Sequence, residues 1–184
     1  MRLYLVRHAR PDSAGSLCYG RSEVCVSPQA TAAAAESVRQ QLPGSVLRAA
    51  PIYSSPLSRC RQLAVALAAG RAVQVTEELT ELSFGRWEGQ RWDGVPKDEL
   101  DAWTADLWEY LPGGGESARM AATRWLTWLA RLPTTEAALI ITHAGVIRVA
   151  LAARAHTVAR LTDPIAYGAV YEVARSDYAL AETA

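Results

Sequence analysis

The chain has 184 residues, 50% hydrophobic and 21% charged, the make-up of one globular domain with a substantial core. Nineteen basic residues balance nineteen acidic ones, which excludes an overall basic footprint for nucleic acid and an acidic tail. The longest apolar run, Leu63 to Ala69, is far short of a membrane span, and the apolar start is cut off by Arg7, so the expectation is a cytoplasmic protein with no membrane partner.

Taken in chain order, short β-type runs alternate with helical patterns. Leu3 to Val6 reads as a buried strand. Ser27-Pro28 opens a helix running to about Leu42, as N-cap and first helical residue. Ile52 to Ser54 is a second strand, and Ser55-Pro56 repeats the opening signal for a helix ending near Gly70. Val73 to Val75 and Ala138 to Thr142 are further strands, the latter followed by a helix from Ala144 to about Ala155. Two late strands, Ala169 to Ala174 and Tyr178 to Ala181, flank a turn at Ser176-Asp177. This alternation predicts an α/β three-layer sandwich with a mostly parallel sheet and helices on both faces. The whole chain, 1–184, reads as one domain with a helical insertion at about 77–132. Its helices are expected near Pro96 to Tyr110 and Glu116 to Leu132, and the insertion is placed to cap a pocket. The tryptophans there, including Trp103, Trp125 and Trp128, read as helix-packing residues.

The three cysteines, Cys18, Cys25 and Cys60, are an odd number at no metal-ligand spacing, so reduced thiols are expected. The chemistry collects elsewhere. His8 and His143 each follow the carboxyl end of a predicted strand, and Arg59 lies about one turn beyond a third. Ligands of open α/β sheets bind at that edge. Arg7, His8, Arg59 and His143 therefore converge on one site, beside two helix N-termini that favour an anion. Two guanidinium forks match phosphate oxygens. Adjacent cations and the lack of a third ligand oppose a metal, so neither a metal nor another cofactor is expected. Neutral His8 is a competent nucleophile for phosphorus, and Arg7 and Arg59 hold it neutral. The proton donor for the leaving group lies between Leu79 and Gly89, where spacing leaves Glu81 and Glu88 as alternatives.

These residues resemble a known family. Leu5-Val-Arg-His8, Ser55-Pro-Leu-Ser-Arg59, Glu81 ahead of Phe84-Gly-Arg-Trp-Glu-Gly89, and Thr142-His-Ala-Gly145 are similar, in order, to the motifs of the histidine phosphatase superfamily, of phosphoglycerate mutase-like fold. The resemblance implies that His8 becomes a phosphohistidine, that Arg7, Arg59 and His143 bind the phosphoryl oxygens, and that Glu81 rather than Glu88 is the acid and then the base. It implies partial burial of Glu81 and a structural turn for Glu88. Arg10-Pro11, Cys18-Tyr-Gly-Arg-Ser22 and Pro112-Gly-Gly-Gly-Glu-Ser117 resemble the α-ribazole phosphatases of cobalamin synthesis. That branch implies a small phosphate monoester as substrate, α-ribazole 5′-phosphate in particular, with Tyr19, Trp87 and Trp92 available to stack on its ring. A phosphoglycerate mutase, a phosphohistidine protein phosphatase and a non-catalytic phospho-ligand binder are the alternatives.

The chain departs from the family pattern in two ways. Ala9 and Arg10-Pro11 replace a Gly and a polar pair, and the chain holds no asparagine, so the family's Asn phosphate contact is missing. Ser22 or a backbone N–H near Gly20 is expected to replace it, with Arg10 as a further substrate contact.

Overall fold

The structure is a computed structural model and describes residues 1–178. Five strands form one sheet in the order β3-β2-β4-β1-β5. They are β1 (Arg2–Arg7), β2 (Ile52–Ser54), β3 (Val73–Val75), β4 (Ala137–Thr142) and β5 (Val170–Ala174). The first four are parallel, and β5 lies antiparallel on β1 at one edge. The six helices are α1 (Pro28–Gln41), α2 (Gly44–Ala49), α3 (Ser58–Ala68), α4 (Lys97–Ala105), α5 (Ala118–Arg131) and α6 (Ala144–Ala155).

The central strand β4, β2 and the middle of β1 are buried because both faces of the sheet are covered there, whereas the edge strands β3 and β5 carry exposed Gln74 and Glu172. Alternate residues of β1 and β4 enter two separate cores. Leu3, Leu5, Ala138 and Ile140 pack under α5 and α6. Tyr4, Val6, Leu139 and Ile141 pack under α1, α2 and α3. A third, smaller cluster joins buried Cys18, Trp87 and Val95 with Phe84, Trp92 and Trp103.

The expected sandwich is present, and its differences in detail have local causes. Of the stretch 77–132 read as an insertion, α5 is one of the sheet's covering helices. Its face of Ala121, Ala122, Trp125, Trp128 and Leu129 is buried in the first core. Ser27 caps α1 as expected, its side chain accepting from the Ala30 amide. Ser55-Pro56 does not open α3. That helix starts at Ser58 with Leu57 as N-cap, and Ser55 lies in the turn leaving β2. The helix near Pro96 to Tyr110 is shorter than expected, since Asp106 leaves helical geometry. Arg175–Tyr178 form a single 3₁₀ turn, and the remainder of the strand expected over Tyr178 to Ala181 lies outside the described residues. Among the described residues no helix is long and apolar enough to cross a membrane.

Candidate active site

β1 and β4 are hydrogen-bonded neighbours, Arg7 opposite Thr142. The next residues, His8 and His143, leave the same sheet edge side by side, and the His8 amide still bonds the Thr142 carbonyl at 3.1 Å. Their ring centroids are 5.0 Å apart, edge to face. Both rings are buried, and so is Arg59 from the first turn of α3. The sheet order reverses direction between β1 and β4, which makes this the switch-point crevice of an open α/β sheet.

The hydrogen bonds fix the state of each group. His8 Nδ1 lies 2.7 Å from the Ala9 carbonyl oxygen. A carbonyl only accepts, so Nδ1 carries the proton and Nε2 keeps its lone pair. Burial first, then the Arg59 charge, push His8 down to about 3, with Arg7 acting in the same direction and the Ala9 bond against it. Arg59 donates its Nε–H to His143 Nδ1 at 3.3 Å and a terminal N–H to the Ser22 carbonyl at 2.8 Å. A further terminal N–H goes to the Gly20 carbonyl. His143 therefore carries its proton on Nε2 and donates it to Ser55 Oγ at 2.8 Å. Burial, then the neighbouring His8 and Arg59, hold His143 well below its ordinary range. The Cys60 thiol sits 3.4 Å from His143 Nε2, and burial holds it in the neutral form.

Arg7 stacks on the Tyr167 ring, 3.6 Å from guanidinium carbon to ring centroid, and donates to the Ile165 carbonyl. Its Nε is buried with no partner. Arg10 is exposed, 5.9 Å from the same ring.

Glu81 is 9% exposed. Its carboxylate accepts the Leu82 amide at 3.0 Å and the Gly145 amide at 3.2 Å. The second of these lies in the first turn of α6, so that helix's N-terminus orients Glu81. A Cβ on Gly145 would fall inside the carboxylate, which makes glycine a requirement for this approach. The N-terminus of α3 is likewise taken by a carboxylate, because Glu23 accepts the Ser58 amide at 3.1 Å. The sequence expectation that these two helix ends are left open for the ligand's charge is thus corrected. The protein's own acids complement both dipoles.

Glu88 is spent on structure. It accepts the amides of Arg21 (3.1 Å), Ser22 (2.9 Å) and Phe84 (3.0 Å), and the Ser22 hydroxyl at 2.6 Å. Ser22, expected to replace a lost donor, has both its amide and hydroxyl committed here; its contribution to the site is the carbonyl that holds Arg59. Gly20 also serves by its carbonyl. Its φ is +30°, and a Cβ would collide with the Glu88 carboxylate.

A crevice of about 280 Å³ opens from Arg7, Glu81 and Gly145 toward Phe84, Trp92 and Trp103. Trp92 and Trp103 are stacked, with centroids 6.2 Å apart and planes 7° from parallel. Trp87 does not line it, because its indole is fully buried and bonds Glu99 at 2.6 Å. Trp103, Tyr167 and Arg148 are among the lining residues that the sequence does not point to. Arg148 lies one helical turn beyond Gly145 and donates its Nε–H to the Asp163 carbonyl at 2.8 Å. Among the described residues no group of three or more His, Cys, Asp or Glu is placed to hold a metal ion.

Two neutral buried histidines have a consequence in acid. His8 titrates near 6.5 when unfolded and near 3 when folded. Between those values the unfolded chain binds more protons, so stability falls as pH drops from about 6.5 toward 3. One such group contributes up to ~1.4 kcal/mol per pH unit. His8→Asn is therefore expected to flatten the acid limb by about that slope in denaturant unfolding at several pH values. An unchanged slope would show that His8 is already protonated in the folded protein.

The family model described as histidine phosphatase superfamily (branch 1) matches residues 3–178, and the chain belongs to that superfamily. No curated protein matches. Among solved structures, TTHB049 from Thermus thermophilus is 26% identical with a TM-score of 0.75, over 94% of this chain and 93% of that one. A putative alpha-ribazole-5′-P phosphatase from Escherichia coli is 24% identical with a TM-score of 0.79, over 94% and 89%. The alpha-ribazole phosphatase from Shigella flexneri is 22% identical with a TM-score of 0.77, over 94% and 89%. The last two show the shared phosphoglycerate mutase-like fold.

Proposed function

We propose that the protein hydrolyses a small phosphate monoester through a phosphohistidine on His8, and that the leaving group carries a flat apolar ring. The observation that carries this reading is the crevice. One end is lined by Arg7, Glu81 and Tyr167, whose ring centroid is 5.7 Å from that of the buried His8, and the other by the stacked Trp92 and Trp103. α-Ribazole 5′-phosphate, a substrate of cobalamin synthesis, has this two-part form and is the best single candidate. The motif likeness of Cys18 to Ser22 and the phosphatase names of the Escherichia coli and Shigella flexneri relatives support it.

In the first step His8 Nε2 attacks phosphorus in line with the ester oxygen, and the P–O bond breaks. Arg7 and Arg59 stabilise the equatorial oxygens, joined by the Nε2–H of His143 as it turns from Ser55. Protonated Glu81 delivers its proton to the leaving oxygen. Ionised Glu81 then takes a proton from water, which attacks phosphorus and breaks the P–N bond.

The test is kcat/KM for α-ribazole 5′-phosphate against AMP, 3-phosphoglycerate and a sugar phosphate. A preference above about tenfold is expected, which equals ~1.4 kcal/mol of discrimination. Trp103→Ala should reduce the ring-bearing substrate selectively. Equal rates on all four would leave a general phosphatase, and isomerisation of 3-phosphoglycerate would move the reading to a mutase.

A further inference from the structure

A phosphoryl group offers three oxygens, each accepting more than one hydrogen bond, and several of the clamp's own donors are already committed. Arg59 gives bonds to His143, Ser22 and Gly20. His143 gives its proton to Ser55, and His8 gives its own to Ala9. Arg7 gives one bond to Ile165 and keeps its Nε–H without a partner, which leaves it as the clamp's main free donor. No side-chain amide of asparagine exists in the chain to make up the difference.

Two tyrosines lie over this clamp. Tyr19 comes from the loop after β1, and its ring is 5.2 Å from the Arg59 guanidinium carbon. Tyr167 comes from the loop before β5, stacks on Arg7 at 3.6 Å, and has its ring centroid 5.7 Å from that of His8. Their hydroxyl oxygens are 3.2 Å apart, and both residues line the crevice. The rings thus sit on the two guanidinium groups that would embrace a phosphoryl group, and the hydroxyls meet between them.

We propose that the Tyr19–Tyr167 hydroxyl pair is a phosphoryl-binding element, in which Tyr19 donates to Tyr167 and Tyr167 donates its remaining O–H to a phosphoryl oxygen. Two hydroxyls hold two protons, and their mutual bond uses one. The other is free for the ligand, and a donor that itself accepts a hydrogen bond is strengthened. Tyr19 takes the inner role because burial, followed by its bond to Tyr167, keeps its phenol protonated. Tyr167 takes the outer role because its ring is the one packed beside His8. This inference rests on the reading of the site as a phosphoryl clamp.

The experiment measures competitive inhibition by inorganic phosphate, with p-nitrophenyl phosphate as substrate, in Tyr167→Phe, Tyr19→Phe and the double variant. Phenylalanine keeps both rings on their arginines, so the thermal midpoint without phosphate should hold. Tyr167→Phe should weaken phosphate about 10- to 100-fold, the range for one hydrogen bond to a charged acceptor. Tyr19→Phe should weaken it about 2- to 5-fold, and the double variant should match Tyr167→Phe within about twofold. Phosphate affinity in Tyr167→Phe within about twofold of wild type would overturn the proposal. So would a double variant that loses the product of the two single effects. Wild-type enzyme that turns over substrate yet ignores phosphate would overturn the clamp and the pair together. A loss seen with an aryl ester but not with an alkyl ester would show that the hydroxyl meets the leaving group instead.

Discussion

His8→Ala is expected to lower turnover by at least about 10³-fold, measured on the purified, folded variant with any accepted substrate. The expectation follows from where the lone pairs are. His143 is the other imidazole at the site, and both of its nitrogens are engaged, by Arg59 and by Ser55. Cys60 is buried with its thiol held neutral against the Thr142 carbonyl and His143. No second group is therefore ready to form the covalent intermediate when His8 is gone. Because His8 has its ordinary titration suppressed by burial and Arg59, wild-type activity should show no acid limb near pH 6.5 from this residue. Retention of a tenth of wild-type turnover in His8→Ala would remove the phosphohistidine from the mechanism.

The second large effect belongs to Glu81. Glu81→Gln should slow hydrolysis of an alkyl phosphate by about 10²- to 10⁴-fold, the usual worth of a positioned acid–base group. With p-nitrophenyl phosphate the loss of phosphoryl transfer should be much smaller, since that leaving group departs without a proton. The comparison variant is Glu88→Gln. It loosens the bonds to Arg21, Ser22 and Phe84, and so disturbs the loop whose carbonyls hold Arg59. Its losses should be parallel for the two substrates, read as a ratio of kcat/KM values. Strong leaving-group dependence in Glu88→Gln and none in Glu81→Gln would exchange the two roles.

The sheet and the polar residues at its edge were legible because they rest on short-range signals. Apolar runs such as Leu3 to Val6 and Ala138 to Thr142 mark strands, and the residue that follows each must lie at the carboxyl edge. That placed His8 and His143 with no knowledge of the strand order. Arg59 followed from the same logic, although the start of α3 was misjudged. Pro56 sits two residues before Ser58, in a turn, and the Ser55 hydroxyl accepts from the Leu57 amide and from His143 rather than from an amide inside α3. The occupation of the two helix ends was not legible. Glu23 lies 35 residues before Ser58, and Glu81 lies 64 before Gly145, so neither pairing leaves a local trace. Short α2 was missed because six residues after Pro43 carry too little periodicity. Tyr167 was missed for another reason: it stands in an irregular loop, where nothing marks the direction of a side chain. Arg148 did leave a signal, three residues beyond Gly145 on the same helix face, in a chain where eighteen of nineteen basic residues are arginine and the signal is diluted.

The third hydrophobic cluster bears on how such an enzyme can diversify. Phe84, Trp92 and Trp103 pack around Cys18, Trp87 and Val95, and not with the two cores that flank the sheet. The aromatic end of the crevice therefore has an interior of its own. It is tied to the loop that holds Arg59 at several points, among them the Cys18 amide bonded to Gln90 and the Glu88 carboxylate that accepts the Arg21 and Ser22 amides. Aromatic side chains facing the crevice can be exchanged on that module without moving β1, β4 or the residues that follow them. A library confined to positions 84, 92 and 103 should accordingly yield altered substrate preference with the phosphoryl-transfer machinery intact. The same freedom stops at those ties, because changes at Cys18 or Gly20 would reach Arg59 within two residues.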